Sequence, residues 1–163
     1  MKRDLLFDRN EFIFSYRVGG VLIYDDKILL QKPENDDYAI IGGHVTSMET
    51  TADALIREYK EELRADISIE RLMAVGEIFF LWDNRPCHQI CLYYKCRLNQ
   101  ENAISLEGCF YGYDDLNHKR MDMKYCWVPL EQLRKGLKVY PSELVPHILS
   151  RGDKIEHFVS SQI

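Results

Sequence analysis

No stretch of this 163-residue chain approaches the roughly 18 consecutive apolar residues that a membrane-spanning helix needs. The opening residues, MKRDLLFDRNEFIF, are broken by charge and lack the apolar run of a secretory signal, so the expected location is cytoplasmic, with no membrane partner. There is no C-x-x-C pair, and five cysteines are an odd number, so neither a disulfide framework nor a zinc ribbon is signalled. Cys87, Cys91 and Cys96 fall in a strand-like stretch. The first two would stand about 13 Å apart there, too far to share a metal, and all three read as small buried hydrophobes. Basic residues form no run and the net charge is −5, which makes long nucleic acid a poor partner. An acidic protein still takes a small phosphorylated substrate if a divalent cation stands between the two negative partners.

What is present suits a globular protein: 46% of residues are apolar and 29% charged, and the length suits one domain spanning 1–163. Residues 11 to 41 read as β-structure: EFIFSYRVGGVLIY, an Asp25-Asp26 turn, KILLQK, a loop from Pro33 to Asp37, then YAII. Two or three strands thus precede the first helix. From Thr50 the period changes, with Ala52, Leu55, Ile56, Tyr59 and Leu63 recurring along one side, and Thr50 with Asp53 forms a capping start. ISIERLMAVGEIFFLWDN and CHQICLYYKCRL should pair as a hairpin around a turn near Asn84 to Pro86. Residues 99 to 124 are weakly patterned and are expected as loops around a short strand. YCWVPL resumes a strand, a short helix begins at Pro129, SELVPHILSRG suggests another despite Pro146, and IEHFVSS reads as a terminal strand. The architecture expected is α+β with a mixed sheet.

The chemistry-bearing segment is GGHVTSMETTADALIREYKEELRAD, residues 42 to 66. At about 100° per helical residue, Glu58, Glu61 and Glu62 fall within roughly 100° of one another, so three carboxylates share a face while the apolar set anchors the helix. Like charges at this spacing cost only a few tenths of a kcal/mol, so a solvated face is the competing reading. The spacing G-x5-E-x7-R-E-x2-E-E is met by Gly43, Glu49, Arg57, Glu58, Glu61 and Glu62, and it resembles the core of the Nudix box. The resemblance extends over most of residues 18 to 145, through VLIYDDKILLQK before Gly-Gly and the later WVPLEQL, with only the box specific.

That resemblance implies a Nudix-like α/β/α sandwich and a hydrolase of phosphoric anhydride bonds. Glu58, Glu61 and Glu62, with the Gly42 carbonyl, would ligate Mg2+, Mn2+ being the other candidate ion. Glu49 and Arg57 would pin the loop to the helix, and Glu61 or Glu62 would help deprotonate the attacking water. The implied substrate is a nucleoside diphosphate linked to a moiety X, such as a modified nucleoside triphosphate or ADP-ribose, and a homodimer is the implied assembly. The rival reading is a catalytically silent Nudix domain that binds a nucleotide and regulates a partner.

Several positions depart from the family pattern. Arg64 stands where the box carries a helix-ending glycine, so either Arg64 accepts left-handed strain or the helix ends differently. Tyr59 replaces an aliphatic, and Ile41 stands before Gly-Gly where Pro is common. Gln89 occupies a region where an acidic residue is expected. Glu77, Glu107, Asp114 and Asp115 are candidates for a further carboxylate. His44, next to Gly43, could face either phosphate or solvent, and Phe79, Phe80, Trp82 and Tyr94 either stack a base or fill the core.

Overall fold

A computed structural model describes residues 1–101, 103–116 and 119–163, with the side chains of residues 113–121 also outside the description. The strands are β1 (Leu6–Asp8), β2 (Ile13–Tyr24), β3 (Lys27–Gln31), β4 (Tyr38–Ala39), β5 (Ile41–His44), β6 (Ile67–Trp82), β7 (Arg85–Leu98), β8 (Cys109–Leu116), β9 (Lys119–Pro129), β10 (Val139–Tyr140) and β11 (Glu156–Ser161). Helices α1 (Thr51–Leu63), α2 (Leu130–Arg134) and α3 (Val145–Leu149) complete the described elements, together with a 3-10 turn at Ser142–Leu144. More strands precede α1 than the two or three expected, because YAII divides into β4 and β5 and the short β1 is added.

The sheet is mixed, in the order β10-β4-β3-β2-β7-β6-β11. Its organising strand is β2, which pairs parallel with β7 from Ile13 to Leu22. Along its other edge β2 meets β1, β5 and β3 in turn, all antiparallel. Two of the turns need both central residues at positive φ: Asp25 and Asp26 join β2 to β3, and Asp83 and Asn84 join β6 to β7. Such two-residue turns match the twist of the strands they connect, and Asp and Asn tolerate the left-handed region. The second turn falls one residue earlier than expected, and Pro86 already sits in the ladder opposite Leu81.

Period-two alternation sends the strands' apolar residues to two cores. Val18, Leu22 and Leu29 pack with Leu55, Tyr59 and Leu63 of α1 on one face. Val21, Ile28 and Leu30 pack on the other with Leu133 of α2 and Ile148 of α3. The result is the α+β, α/β/α arrangement with a mixed sheet. Within α1, Ile56 is exposed: it lies at the edge of the apolar stripe, about 100° round the helix from Leu55.

Residues 99 to 124 hold more regular structure than loops around a short strand. β8 and β9 form a hairpin, and β9 also pairs with β3. Residues 109–112 do alternate, with Tyr111 exposed and Gly112 buried, but the inward position is a glycine, which mimics a turn signal in sequence. Gly112 is needed there, since a side chain would collide with the Glu62 carbonyl at the end of α1. The same hairpin joins Cys109 to Cys126 in a disulfide, with Cα atoms 4.1 Å apart, a pairing that cysteine spacing did not signal. Cys87, Cys91 and Cys96 are free and buried, as read.

Both ends of α1 are defined by named groups. The Thr50 hydroxyl accepts from the Asp53 N–H at 3.1 Å. At the other end Arg64 adopts φ 55° and ψ 27°; its N–H donates to Lys60 O at 3.1 Å, and the Ala65 N–H donates to Tyr59 O at 3.2 Å. Arg64 therefore accepts the left-handed geometry that glycine adopts freely. That conformation costs a residue with Cβ about 1–2 kcal/mol, partly matched by the extra unfolded-state freedom glycine would bring. For the backbone alone, Arg64→Gly is accordingly expected to raise stability by about 1 kcal/mol, read as a higher urea midpoint with an unchanged slope.

Candidate active site

The site grows from the turn between β5 and α1. Glu49, whose side chain is only 4% exposed, accepts from the Thr46 N–H at 3.0 Å and the Thr46 hydroxyl at 2.8 Å. Arg57, in the second turn of α1, reaches back to it: Nε donates to Glu49 Oε1 at 2.8 Å and Nη2 to Glu49 Oε2 at 3.1 Å. Nη2 also donates to the His44 carbonyl at 3.0 Å. Nη1 donates to Glu58 Oε1 at 2.7 Å and to Glu61 Oε2 at 3.2 Å. All five guanidinium N–H donors are thus engaged. These bonds hold the Glu49 carboxyl down to about 2, with the Thr46 donors adding to the effect.

The three helix carboxylates sit in different environments. Glu58 is largely buried against Gly43, where any Cβ would overlap its carboxyl group, and burial pushes its pKa up while Arg57 pulls it down. Glu61 is exposed. Glu62 accepts from the hydroxyl of fully buried Tyr125 at 3.0 Å. Among the described residues no three His, Cys, Asp or Glu side chains converge into a ready metal cluster, because Glu58 and Glu61 are turned onto Arg57 and Glu62 engages Tyr125. The donor set would nonetheless suit a hard divalent cation: every candidate donor is an oxygen, and a desolvated Glu58 lies beside Glu61 and Glu62, where a cation would offset their charge.

Gly42 and Gly43 present opposite faces. Gly43 meets Glu58, while Gly42 lines a cavity of about 530 Å3 on the other side of β5. Arg17, Gln89, Tyr93 and Phe80 contribute to its walls, with Asp36 and Asp37 from the β3–β4 loop. His44 is half-buried and stacks on Trp82, ring centroids 6.2 Å apart. Burial, and next the Arg17 charge, lower it to about 4, so its imidazole is neutral at pH 7.

Of the other residues singled out by sequence, Phe80 lines the cavity, whereas Phe79 packs on His88 and the Tyr94 hydroxyl bonds to Thr51 Oγ1. Glu77 pairs with His157 on the β6–β11 edge, and Glu107 is exposed. The side chains of Asp114 and Asp115 lie outside the described residues. Gln89 belongs to the cavity wall and not to the carboxylate face. Sequence reasoning missed Arg17 and Tyr125. The available signal for Arg17 was a lone cation inside a run of strand residues buried on both sides.

The family model for the NUDIX domain matches residues 14–148, and the chain belongs to the Nudix hydrolase family, whose members generally use divalent metal ions. An ADP-ribose pyrophosphatase of Methanocaldococcus jannaschii is 36% identical over 78 residues, which cover 45% of this chain and 46% of that protein. The chain thus aligns with about half the length of this curated relative. Among solved structures, a MutT protein from Bacillus halodurans superposes with a TM-score of 0.60 at 15% identity, covering 91% of each chain. An ADP-ribose pyrophosphatase from Streptococcus suis superposes with a TM-score of 0.57 at 16% identity, covering 88% of this chain and 98% of that one. At these identities the likeness is one of fold. No helix of the described residues is long and apolar enough to cross a membrane.

The Glu49–Arg57 bond has a pH signature. A carboxyl held at about 2 against an ordinary 4.5 contributes stability that is fully present above pH 4.5 and is lost as pH falls toward 2. Glu49→Gln forfeits that contribution at every pH. Thermal midpoints of the two proteins are expected to differ most near pH 6 and to converge between pH 4.5 and 2. Parallel curves across that window would show that the bond does not stabilise the fold through its charge.

Proposed function

We propose that the chain acts as one Nudix unit over residues 1–163 and is a Mg2+-dependent pyrophosphohydrolase. Its substrate is a nucleoside diphosphate linked to a moiety X, either a modified nucleoside triphosphate or an ADP-ribose-like compound. The observation that carries this reading is the meeting, at Gly42 and Gly43, of a cavity with the carboxylate face that Arg57 and Glu49 fix in place. An electrostatic argument supports it as well, since an acidic face alone would repel a diphosphate.

Glu58, Glu61 and Glu62, with the Gly42 carbonyl, are the residues that would hold the ion, and Mn2+ suits the same oxygen set. A divalent cation bound there offsets charge on the phosphoryl oxygens. Glu61 or Glu62 takes a proton from water as its oxygen bonds to phosphorus. The bridging P–O bond breaks, and its electron pair leaves with the departing phosphate ester. Arg57 and Glu49 are positioning residues: they hold the helix carboxylates and the His44 backbone in one frame. The cytoplasm is the compartment in which such a substrate would be met.

A panel of nucleoside diphosphate derivatives incubated with Mg2+, and assayed for released nucleotide or phosphate, tests the proposal. Release is expected from at least one compound and is abolished by EDTA. At saturating Mg2+, Glu61→Gln or Glu62→Gln is expected to lower kcat by about 10²- to 10⁴-fold, the range of general base catalysis. Unchanged turnover in both variants removes the base assignment. Tight binding without turnover of any compound would favour a silent nucleotide-binding module.

A further inference from the structure

Arg17 projects from β2 toward the same cavity, yet among the described residues its guanidinium makes no hydrogen bond or ion pair. Asp36 and Asp37 line the cavity without pairing with it. The Arg17 charge opposes the upward push that burial exerts on Cys91, Tyr93 and Tyr140, so it acts on the space those three groups share. Gln89 stands on neighbouring β7, in register with Ser15 two residues before Arg17, and lines the cavity while only 6% exposed. Its amide also lacks a hydrogen-bond partner among the described residues. Both residues line the cavity with side-chain N–H donors not taken up by the described residues, so an acceptor placed in that space would meet a cation and an amide together.

Register sets the scale. Arg17 lies opposite His44 and Gly19 opposite Gly42, so Arg17 is two residues, about 7 Å, along β2 from the Gly42 position. An arginine side chain bridges the remainder to a diphosphate seated at Gly42.

We propose that Arg17 and Gln89 form the phosphoryl anchor of the cavity: the Arg17 fork pairs with two oxygens of one phosphoryl group, and the Gln89 NH2 donates to the same group. This rests on the pyrophosphohydrolase reading above and names how its substrate is held. The fork geometry of guanidinium matches phosphate, whereas an ammonium offers only a point charge. The identity of residue 89 then has a physical reason. A carboxylate there would pair with Arg17 inside the wall and quench the anchor, while the neutral amide leaves the charge available for substrate.

Calorimetric binding of inorganic pyrophosphate to the full chain in EDTA tests this without the metal or turnover. Wild type is expected to bind. Arg17→Met and the near-isosteric Gln89→Glu are each expected to weaken binding by about 10-fold or more, as loss of a charge-assisted hydrogen bond implies, and Arg17→Lys less than Arg17→Met. On any compound that is turned over, the same variants raise KM with a smaller change in kcat, and thermal midpoints stay near wild type for Gln89→Glu. Failure of wild type to bind pyrophosphate, or equal binding by wild type, Arg17→Met and Gln89→Glu, overturns the anchor. Loss of binding in the variants with no compound turned over by wild type leaves the anchor standing and removes the hydrolase reading. Turnover with unchanged KM in both variants does the reverse.

Discussion

The Arg57 guanidinium donates to acceptors from three pieces of chain: Glu49 in the loop, the His44 carbonyl at the end of β5, and Glu58 and Glu61 on its own helix. Remove it and the loop loses its tie to the helix, Glu49 is left as a nearly buried charge without a counter-ion, and Glu58 loses the group that offsets its burial. The site depends on this one planar group because only an arginine reaches all of these acceptors from a single helical position. The glycines make the approach possible, since Gly43 leaves the space that Glu58 fills.

The two central arginines differ in how their donors are used. Arg57 has every donor satisfied by protein and ties the loop to the helix. Arg17 has none satisfied among the described residues, and it lines the cavity. The acidic balance of the whole protein sharpens that contrast: against a net charge of −5, the cavity lining carries a local cation in Arg17.

Much of this was legible in sequence, because short-range physics writes it there. The box spacing fixed which side chains could meet across the loop and helix, and the Glu49–Arg57 pair is where the resemblance implied it. The Thr50 cap and the Asp25–Asp26 turn are local hydrogen-bonding and dihedral requirements, and both are found as read. What depended on distant chain was not legible. Tyr125 reaches Glu62 from 63 residues away, and the β8–β9 hairpin hid behind Gly112, whose lack of a side chain serves a contact with α1. Cys109 and Cys126 are brought together by that hairpin, not by any spacing rule. Ile56 read as core because helical periodicity alone does not say where the stripe ends. Gln89 looked like a missing ligand until the parallel β2–β7 pairing placed it in the cavity wall near Arg17.

For the site to work, the helix carboxylates that Arg57 orders must be able to release it and take a divalent ion. Titration of Mn2+ followed by electron paramagnetic resonance of the free aqua ion measures this directly. Wild type is expected to deplete the free-ion signal stoichiometrically, and the Glu58→Gln/Glu61→Gln/Glu62→Gln triple variant, folded by circular dichroism, is expected to leave it at the level of buffer. Equal depletion by both proteins would mean that the metal sits elsewhere, and would contradict a metal-binding role for the α1 carboxylates.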